Sequence, residues 1–466
     1  ALAKISYGEE LVTNGTFTDN IDGWSSQLSA VLSHTGSGIS VQSTGGNSLA
    51  YQNITADLSK NYIITADLVS GAGYISAGNA FYNFTNGKLH AILPAGRANN
   101  KLDIAPSANT TAIFDNISVK EALYDQPDGT LQLFNHPINK PRIEYDASGN
   151  CLGLLVEEAR TNFVPYSEDF TQSSWVKLGA GVASTAVVTS GFESPAGTNG
   201  ATRLQCNLNG GSSSGDQSLI YSTSSGAGDH SISFWVKSNT GLNQTFAFGN
   251  SLNNYANGVA TNKWQRFTYS SNLPVNRTVF IGARGTTGSD DTLDILIYGA
   301  QIEVGSFPTS YIPTSGSAVT RAADIATLAV SEFGYNQDQG TVVIERRFLS
   351  NAVNSNSGTD LLEDSSNKIS LRKAAYLINV NGAGQTNNGY GSPIDYVSFH
   401  KIGVAFKPNS VIGSTSGGLS AEDTSALIPN AVNTIQLNRV DTNASLQING
   451  HIKSIQYYPL RLSNAQ

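Results

Sequence analysis

Two stretches of this 466-residue chain open with one grammar. Residues 10–24 read ELVTNGTFTDNIDGW, and residues 153–175 read GLLVEEARTNFVPYSEDFTQSSW. Each runs from apolar residues through an Asn to a Phe set among Ser, Thr, Asp or Asn, and ends on a Trp. A series of short alternating segments follows each, and the two series close on similar strands, 113–120 and 293–304. Two openings and two closings of one pattern predict two copies of one domain type.

In the first copy, segments 30–32, 39–42, 49–54, 62–69, 73–75, 88–93 and 112–119 alternate apolar and polar residues between Gly, Asn and Ser turns. That spacing predicts an antiparallel sandwich. Tyr62, Ile64, Ala66 and Leu68 share one strand face, and strict alternation places Ile113, Asp115, Ile117 and Val119 together on the closing strand. In the second copy the strands are 185–188, 201–204, 217–221, 230–237, 244–248, 264–269, 278–283 and 293–304. Here Ile232, Phe234 and Val236 face the core, while Trp235 points away beside Ser233 and Lys237. A third set follows at 340–347, 368–373, 375–380, 396–406, 433–437, 446–448 and 450–460.

The chain therefore reads as all-β: three sandwich domains in series, at 1–122, 151–327 and 328–466. A connector at 123–150 carries turn signals at Pro127, Asp128 and Gly129 and at 147–150, with extended pieces at 131–134 and 142–145. It is too apolar for a loose linker and should pack on its neighbours. Pro308 and Pro313 mark an exit segment whose Tyr311 and Ile312 should dock on the second sandwich.

Composition removes several function classes. Charged residues are 13 %, Gly numbers 46 and Met 0, a turn-rich β composition rather than that of a helical enzyme. The net charge of −8, with no cluster of five basic residues, argues against nucleic acid as a partner. No run of eighteen apolar residues exists, so no membrane insertion is expected. The start, ALAKISYGEEL, lacks the basic-then-apolar order of a signal peptide and reads as a mature end after Met removal. Cys151 and Cys206 read as free, buried thiols.

The phrases GLLVEEARTNFVPYSEDF and, at 299–324, GAQIEVGSFPTSYIPTSGSAVTRAAD are similar to a module of tail-fibre and related virion proteins of tailed bacteriophages. The opening ELVTNGTF…GW resembles the start of jelly-roll carbohydrate-binding modules. Residues 446–466, LQINGHIKSIQYYPLRLSNAQ, resemble the closing strands of laminin-G/concanavalin-like domains. The resemblance implies two jelly rolls and a terminal laminin-G-like sandwich in a virion protein, released by lysis. The implied partners are other virion proteins, further copies of the chain (a trimer is favoured) and a bacterial surface glycan. A purely architectural decoration is the alternative, and a polysaccharide-degrading enzyme a third reading.

Few residues suggest chemistry. Six His are scattered without metal spacing, and there is no G-x-S-x-G, P-loop or CxxC. The carboxylate pairs Glu157 and Glu158, Asp290 and Asp291, and Glu363 and Asp364 are adjacent and diverge. Glycoside hydrolysis needs two that converge across roughly 5 to 9.5 Å. No enzyme is expected. Trp235, with Lys237 beside it, is the candidate sugar-stacking site, because the apolar face of a pyranose packs on an aromatic ring; the competing reading is a ring covered by a loop or a neighbouring subunit. Asp115, Asp290 and Asp291 are candidate Ca²⁺ ligands. The commoner readings are backbone hydrogen bonding for Asp115 and solvated turns for Asp290, Asp291 and 354–360. No other cofactor is indicated.

Overall fold

The computed structural model describes residues 2–464 except 47, 79, 85–86, 97–99, 127, 134–135, 137–139, 252–253, 274–275, 352, 354, 391–393, 416–417 and 439–446, with backbone alone at 2 and 84. Of the positions named above, Pro127, Phe134, Asn354 and Leu446 lie outside the described residues. Apart from one 3-10 turn, Val330–Glu332, the regular structure described is strand.

The first twelve strands are β1 (Leu2–Glu10), β2 (Ser25–Gln27), β3 (Val31–His34), β4 (Ile39–Gln42), β5 (Leu49–Asn53), β6 (Tyr62–Ser70), β7 (Gly73–Ala77), β8 (Ala80–Phe84), β9 (Gly87–Leu93), β10 (Lys101–Pro106), β11 (Thr111–Tyr124) and β12 (Thr130–Leu133). They form a seven-stranded sheet, β12-β1-β11-β4-β3 with β6 on β11 and β9 on β6, facing a five-stranded sheet, β2-β5-β10-β7-β8. Phe17, Ile64, Ile75, Ile104 and Phe114 lie in the core between them.

A hairpin follows, β13 (Ile143–Tyr145) and β14 (Cys151–Val156). The next twelve strands are β15 (Arg160–Asn162), β16 (Val176–Ala180), β17 (Val187–Phe192), β18 (Ala201–Asn207), β19 (Gln217–Ser224), β20 (Gly228–Ser238), β21 (Gln244–Ser251), β22 (Asn254–Ala260), β23 (Gln265–Leu273), β24 (Arg277–Arg284), β25 (Thr292–Val304) and β26 (Val319–Arg321). Their sheets run β17-β18-β25-β20-β23 and β16-β19-β24-β21-β22, with β15 on β26. Advancing every strand number of the first unit by fourteen reproduces this topology, with one exception. Where β1 pairs with β11, β15 reaches β25 through the Phe163 N–H to Ile302 O bond (2.9 Å) and the Asn162 side chain.

The repeat extends to single residues. Phe17 packs on Trp24 with ring centroids 5.6 Å apart, and Phe170 on Trp175 at 4.6 Å. Each indole N–H donates to a carbonyl nine or ten residues upstream, that of Asn14 (3.3 Å) or Tyr166 (2.8 Å). The closing strands also share a bulge. Asn116 (φ 51°) and Gly299 (φ 64°) each insert one left-handed residue opposite the central strand β6 or β20. The extra residue reverses the alternation. Phe114, Ile117 and Val119 face the core, and Asp115 turns outward with Ile113. The expected grouping of Ile113 and Asp115 with Ile117 and Val119 is therefore corrected.

The last strands are β27 (Thr327–Ala329), β28 (Gly340–Phe348), β29 (Gly358–Leu362), β30 (Lys368–Arg372), β31 (Ala375–Val380), β32 (Ala383–Gly389), β33 (His400–Lys407), β34 (Ser410–Thr415), β35 (Gly418–Leu419), β36 (Thr434–Gln436) and β37 (Gly450–Tyr458). They make a six-stranded sheet, β27-β36-β29-β30-β31-β32, and a seven-stranded one, β13-β14-β37-β28-β33-β34-β35. The second sheet overturns the boundary expected at 151. The hairpin β13–β14 belongs to the C-terminal sandwich, Leu154 opposite Ile452, with Val156 in that core. Gly153, at φ 97°, permits the close approach; a Cβ there would lie 2.3 Å from Ile452 O. The second jelly roll is thus inserted into the C-terminal sandwich rather than placed before it.

Both ends of the insertion meet at one buried joint. Glu157, 1 % exposed, lies 2.9 Å from Arg142 and 3.4 Å from Arg321 and accepts the Ser310 N–H at 2.8 Å. Asp324 bonds Arg142 and accepts the Glu157 N–H at 2.8 Å. Glu158 and Asn449 exchange two hydrogen bonds, of 2.7 and 2.9 Å. The segments EEARTN (157–162) and TRAAD (320–324) are the two sides of this joint. The connector is structured here as well: Arg142 belongs to the joint, and Glu144 of β13 binds His451 at 2.6 Å. Cys206 is buried, and burial pushes its thiol up to about 12, but Cys151 is exposed, contrary to expectation.

Candidate functional site

Trp235 does point away from the core, but it is 7 % exposed and cannot serve as a stacking platform. The exit segment folds back over it. Tyr311 meets the indole edge-on at 5.4 Å, Tyr298 lies at 6.1 Å, and the Arg266 guanidinium stands 4.9 Å from the ring. Tyr298 and Tyr311 both donate to Glu168 Oε1 at 2.9 Å, which fixes the cover. Ile312 docks as expected, 3 % exposed. Trp264 packs into this outer cluster rather than the main core. Lys237 is half-buried two residues along β20.

Asp115 lies opposite Asp67, and the Asn116 amide bridges the two carboxylates at 3.3 and 2.9 Å. Burial, then Asp67, pushes the Asp115 carboxyl up, against the Asn116 N–H. Asp290 accepts the Thr245 N–H at 2.8 Å, and Asp291 the Gly210 N–H at 2.7 Å. All three acids bond backbone at turns or bulges. Among the described residues no three His, Cys, Asp or Glu side chains gather as a metal site.

A different surface has the features of a ligand face. In the five-stranded sheet of the first unit, Ala50, Leu102, Ile104, Ile75 and Ala77 point inward. Their neighbours point outward. One outward row crosses all five strands: Ser25 of β2, Tyr51 of β5, Asp103 of β10, Ser76 of β7 and Phe81 of β8. Tyr51 and Phe81 are three strand spacings apart, about 14 Å. Phe81 is 63 % exposed and meets the Tyr74 ring edge-on at 5.8 Å.

Between the aromatic ends the face is polar. Lys101 Nζ stands 4.5 Å from the Tyr51 centroid, bonds Gln27 at 2.6 Å and lies 2.9 Å from Asp103 Oδ1, a contact not aligned as a hydrogen bond. Burial and then Asp103 push the Tyr74 hydroxyl up, so it remains a donor. Asn53 and Asn83 lie on the same side by alternation. Rings at the ends, with a cation and an acid between them and an amide beside each ring, can stack sugar rings and hydrogen-bond their hydroxyls.

Sequence reasoning missed this face because β8 and β10 were not recognised as strands. The polar and aliphatic alternation of KLDIAP and the aromatic residues of AFYNF were the available signal.

The equivalent strands of the second unit carry the row Val176, Tyr221, Phe280, Gly249 and Tyr255. An aromatic again stands on the second strand and another on the edge strand, with Arg284 5.6 Å from the Tyr255 ring. The floor differs, being apolar: Leu219, Ala247 and Phe280. A 500 Å³ depression at one end of this sandwich, lined by Ser184, Gln205, Gln244 and Asp294, has no aromatic wall, and its Gln244 amide is taken by Ser238, Thr240 and Asp294.

No family model matches the chain, and no curated protein is recognisably similar in sequence. Solved structures overlay on the chain at low score. The CBM22-1–CBM22-2 tandem domain of Paenibacillus barcinonensis Xyn10C is 12 % identical, with TM-score 0.22, covering 64 % of this chain and 98 % of that one. Domains LG4-5 of the mouse laminin α1 chain are 10 % identical, with TM-score 0.23, covering 69 % and 93 %. An oxalate decarboxylase of Lactobacillus farciminis gives 10 %, 0.16, 64 % and 88 %. Overlays of this score say nothing of function, and the sandwich class stands on the sheets themselves.

Proposed function

We propose that this chain is a virion protein of a tailed bacteriophage that displays β-sandwich modules to bind a glycan on the host cell surface. The observation that carries the reading is the row from Tyr51 to Phe81, polar in its middle and aromatic at both ends. Its partial repetition on equivalent strands supports tandem display. The virion assignment rests on the phrases at 153–170 and 299–324. Weak contacts at each face gain strength when several copies act together, and a homotrimer is the favoured assembly.

Binding without cleavage is the expected chemistry. The five strands of the face contain one acid, Asp103, and a glycosidase needs two. A second reading, architectural decoration, is favoured by the apolar face of the second unit. Val176, Tyr255 and Val259 are exposed there around Phe280 and Tyr221, as on a surface that another copy covers.

The test is to incubate the protein with host cells and with isolated host polysaccharide. Retention on both, with polysaccharide length unchanged, is the expected outcome. Shortened polysaccharide would replace the reading by an enzyme, and no retention by the architectural role.

A further inference from the structure

The outer face of the C-terminal seven-stranded sheet gathers cations. Lys401 of β33, Glu345 of β28 and Ser454 of β37 are paired neighbours, and Arg347, two residues along β28, pairs with His451. Paired side chains leave an antiparallel sheet on one side. Lys453 joins them, its Nζ 3.6 Å from Glu345. Phe399 lies at the end of this row. The Arg347 guanidinium is 5.1 Å from its ring centroid, and Lys453 Nζ is 5.0 Å from the same centroid.

Two cations thus share one ring, a third, Lys401, stands two residues from it, and Glu345 is in contact with Lys453 alone among the three. Arg347 makes no ion-pair contact with a carboxylate among the described residues. Its Nε donates to His451 Nδ1 at 3.2 Å, and His451 is in turn bound to Glu144. Asp146 acts on Arg347 at longer range, its oxygens already accepting from Ser148 and Asn150. Lys401 is exposed, and its ammonium has no partner among the described residues.

The chain has 35 acidic against 27 basic residues, so composition does not force such a cluster. Like charges held this close repel. The packing of the sandwich does not need them, because Val342, Ile344, Ile402 and Val404 fill the core on the opposite side of the sheet. An anion laid beside the Phe399 ring would relieve the repulsion.

We infer that this face, centred on Phe399, Arg347, Lys453 and Lys401, is a second binding surface, for an acidic polysaccharide whose carboxylates meet the cations. It extends the glycan-binding reading to a chemically different ligand and uses no residue of the Tyr51–Phe81 row. A polyuronate fits it better than a nucleic acid, because the cluster is local and the net charge of −8 opposes a polyphosphate.

The probe is alginate, titrated onto the full chain at 50 and 500 mM salt, with dextran and a DNA duplex alongside. The variants are K401Q/K453Q, whose lysines are exposed, and Tyr51→Ala. The native chain should bind alginate at low salt and lose it at high salt. K401Q/K453Q should bind roughly tenfold more weakly with an unchanged melting curve, and Tyr51→Ala should bind alginate as the native chain does. Absence of alginate binding at low salt would overturn the proposal, as would binding unchanged in K401Q/K453Q. Alginate binding lost in Tyr51→Ala alone would assign it to the first-unit face and overturn this one. Tighter binding of the duplex, lost in the lysine variant, would make the surface a nucleic-acid site instead.

Discussion

Glu157 is a carboxylate closed off from water and kept charged. Burial pushes its carboxyl up, but Arg321, Arg142 and the Ser310 N–H outweigh it and hold it down to about 2. Because the folded value lies below the ordinary 4.5, the stabilisation is complete above about pH 4.5 and is lost as the pH falls towards 2. Glu157→Gln leaves the partly buried Arg142 and Arg321 with Asp324 as their remaining counter-charge and should cost about 3 kcal/mol at pH 7. Denaturant midpoints of native and variant should converge between pH 5 and pH 2. Trp235→Ala belongs to the same scale. It empties the space under Tyr311 and Arg266 and should cost about 3–5 kcal/mol in the second sandwich while leaving glycan binding per folded molecule unchanged. Calorimetry beside a binding titration separates the two effects.

Among elements, the closing strand β11 shows what a sequence conceals. Its alternation is legible on both sides of Asn116, but the inserted residue that reverses the phase is not, because Asn serves equally as a turn residue, a bulge residue or a polar face. Asn116→Gly should be close to neutral, whereas Asn116→Val, forced to φ near 51°, should cost about 1–2 kcal/mol; thermal melts of the two variants decide this. The repeat itself was legible, because Phe17 with Trp24 and Phe170 with Trp175 build the same cap, and β6 and β20 alternate cleanly. The face from Tyr51 to Phe81 was not legible, since it needs β8 and β10 in register with β5, a long-range fact. Trp235 was readable as outward-facing, but its cover comes from Tyr311, 76 positions later in the chain. The charged phrases at 157–160 and 321–324 form the joint, and neither lies on the Tyr51–Phe81 face.

For the whole molecule, the insertion makes the C-terminal sandwich discontinuous. A fragment starting at residue 328 leaves β37 without β14 and exposes an unpaired edge. It should melt well below a fragment in which 141–156 are joined by a short linker to 324–464, and it should aggregate; light scattering during a melt tests both. The joint also ties the second jelly roll to the C-terminal sandwich. The proposed glycan binding rests above all on the first-unit face. The deciding measurement is a titration of the full chain with purified host surface polysaccharide, native against the Tyr51→Ala/Phe81→Ala double variant, with melting curves of both. The native protein should bind saturably, and the variant at least tenfold more weakly with unchanged melting. Equal binding by the two proteins would contradict this reading.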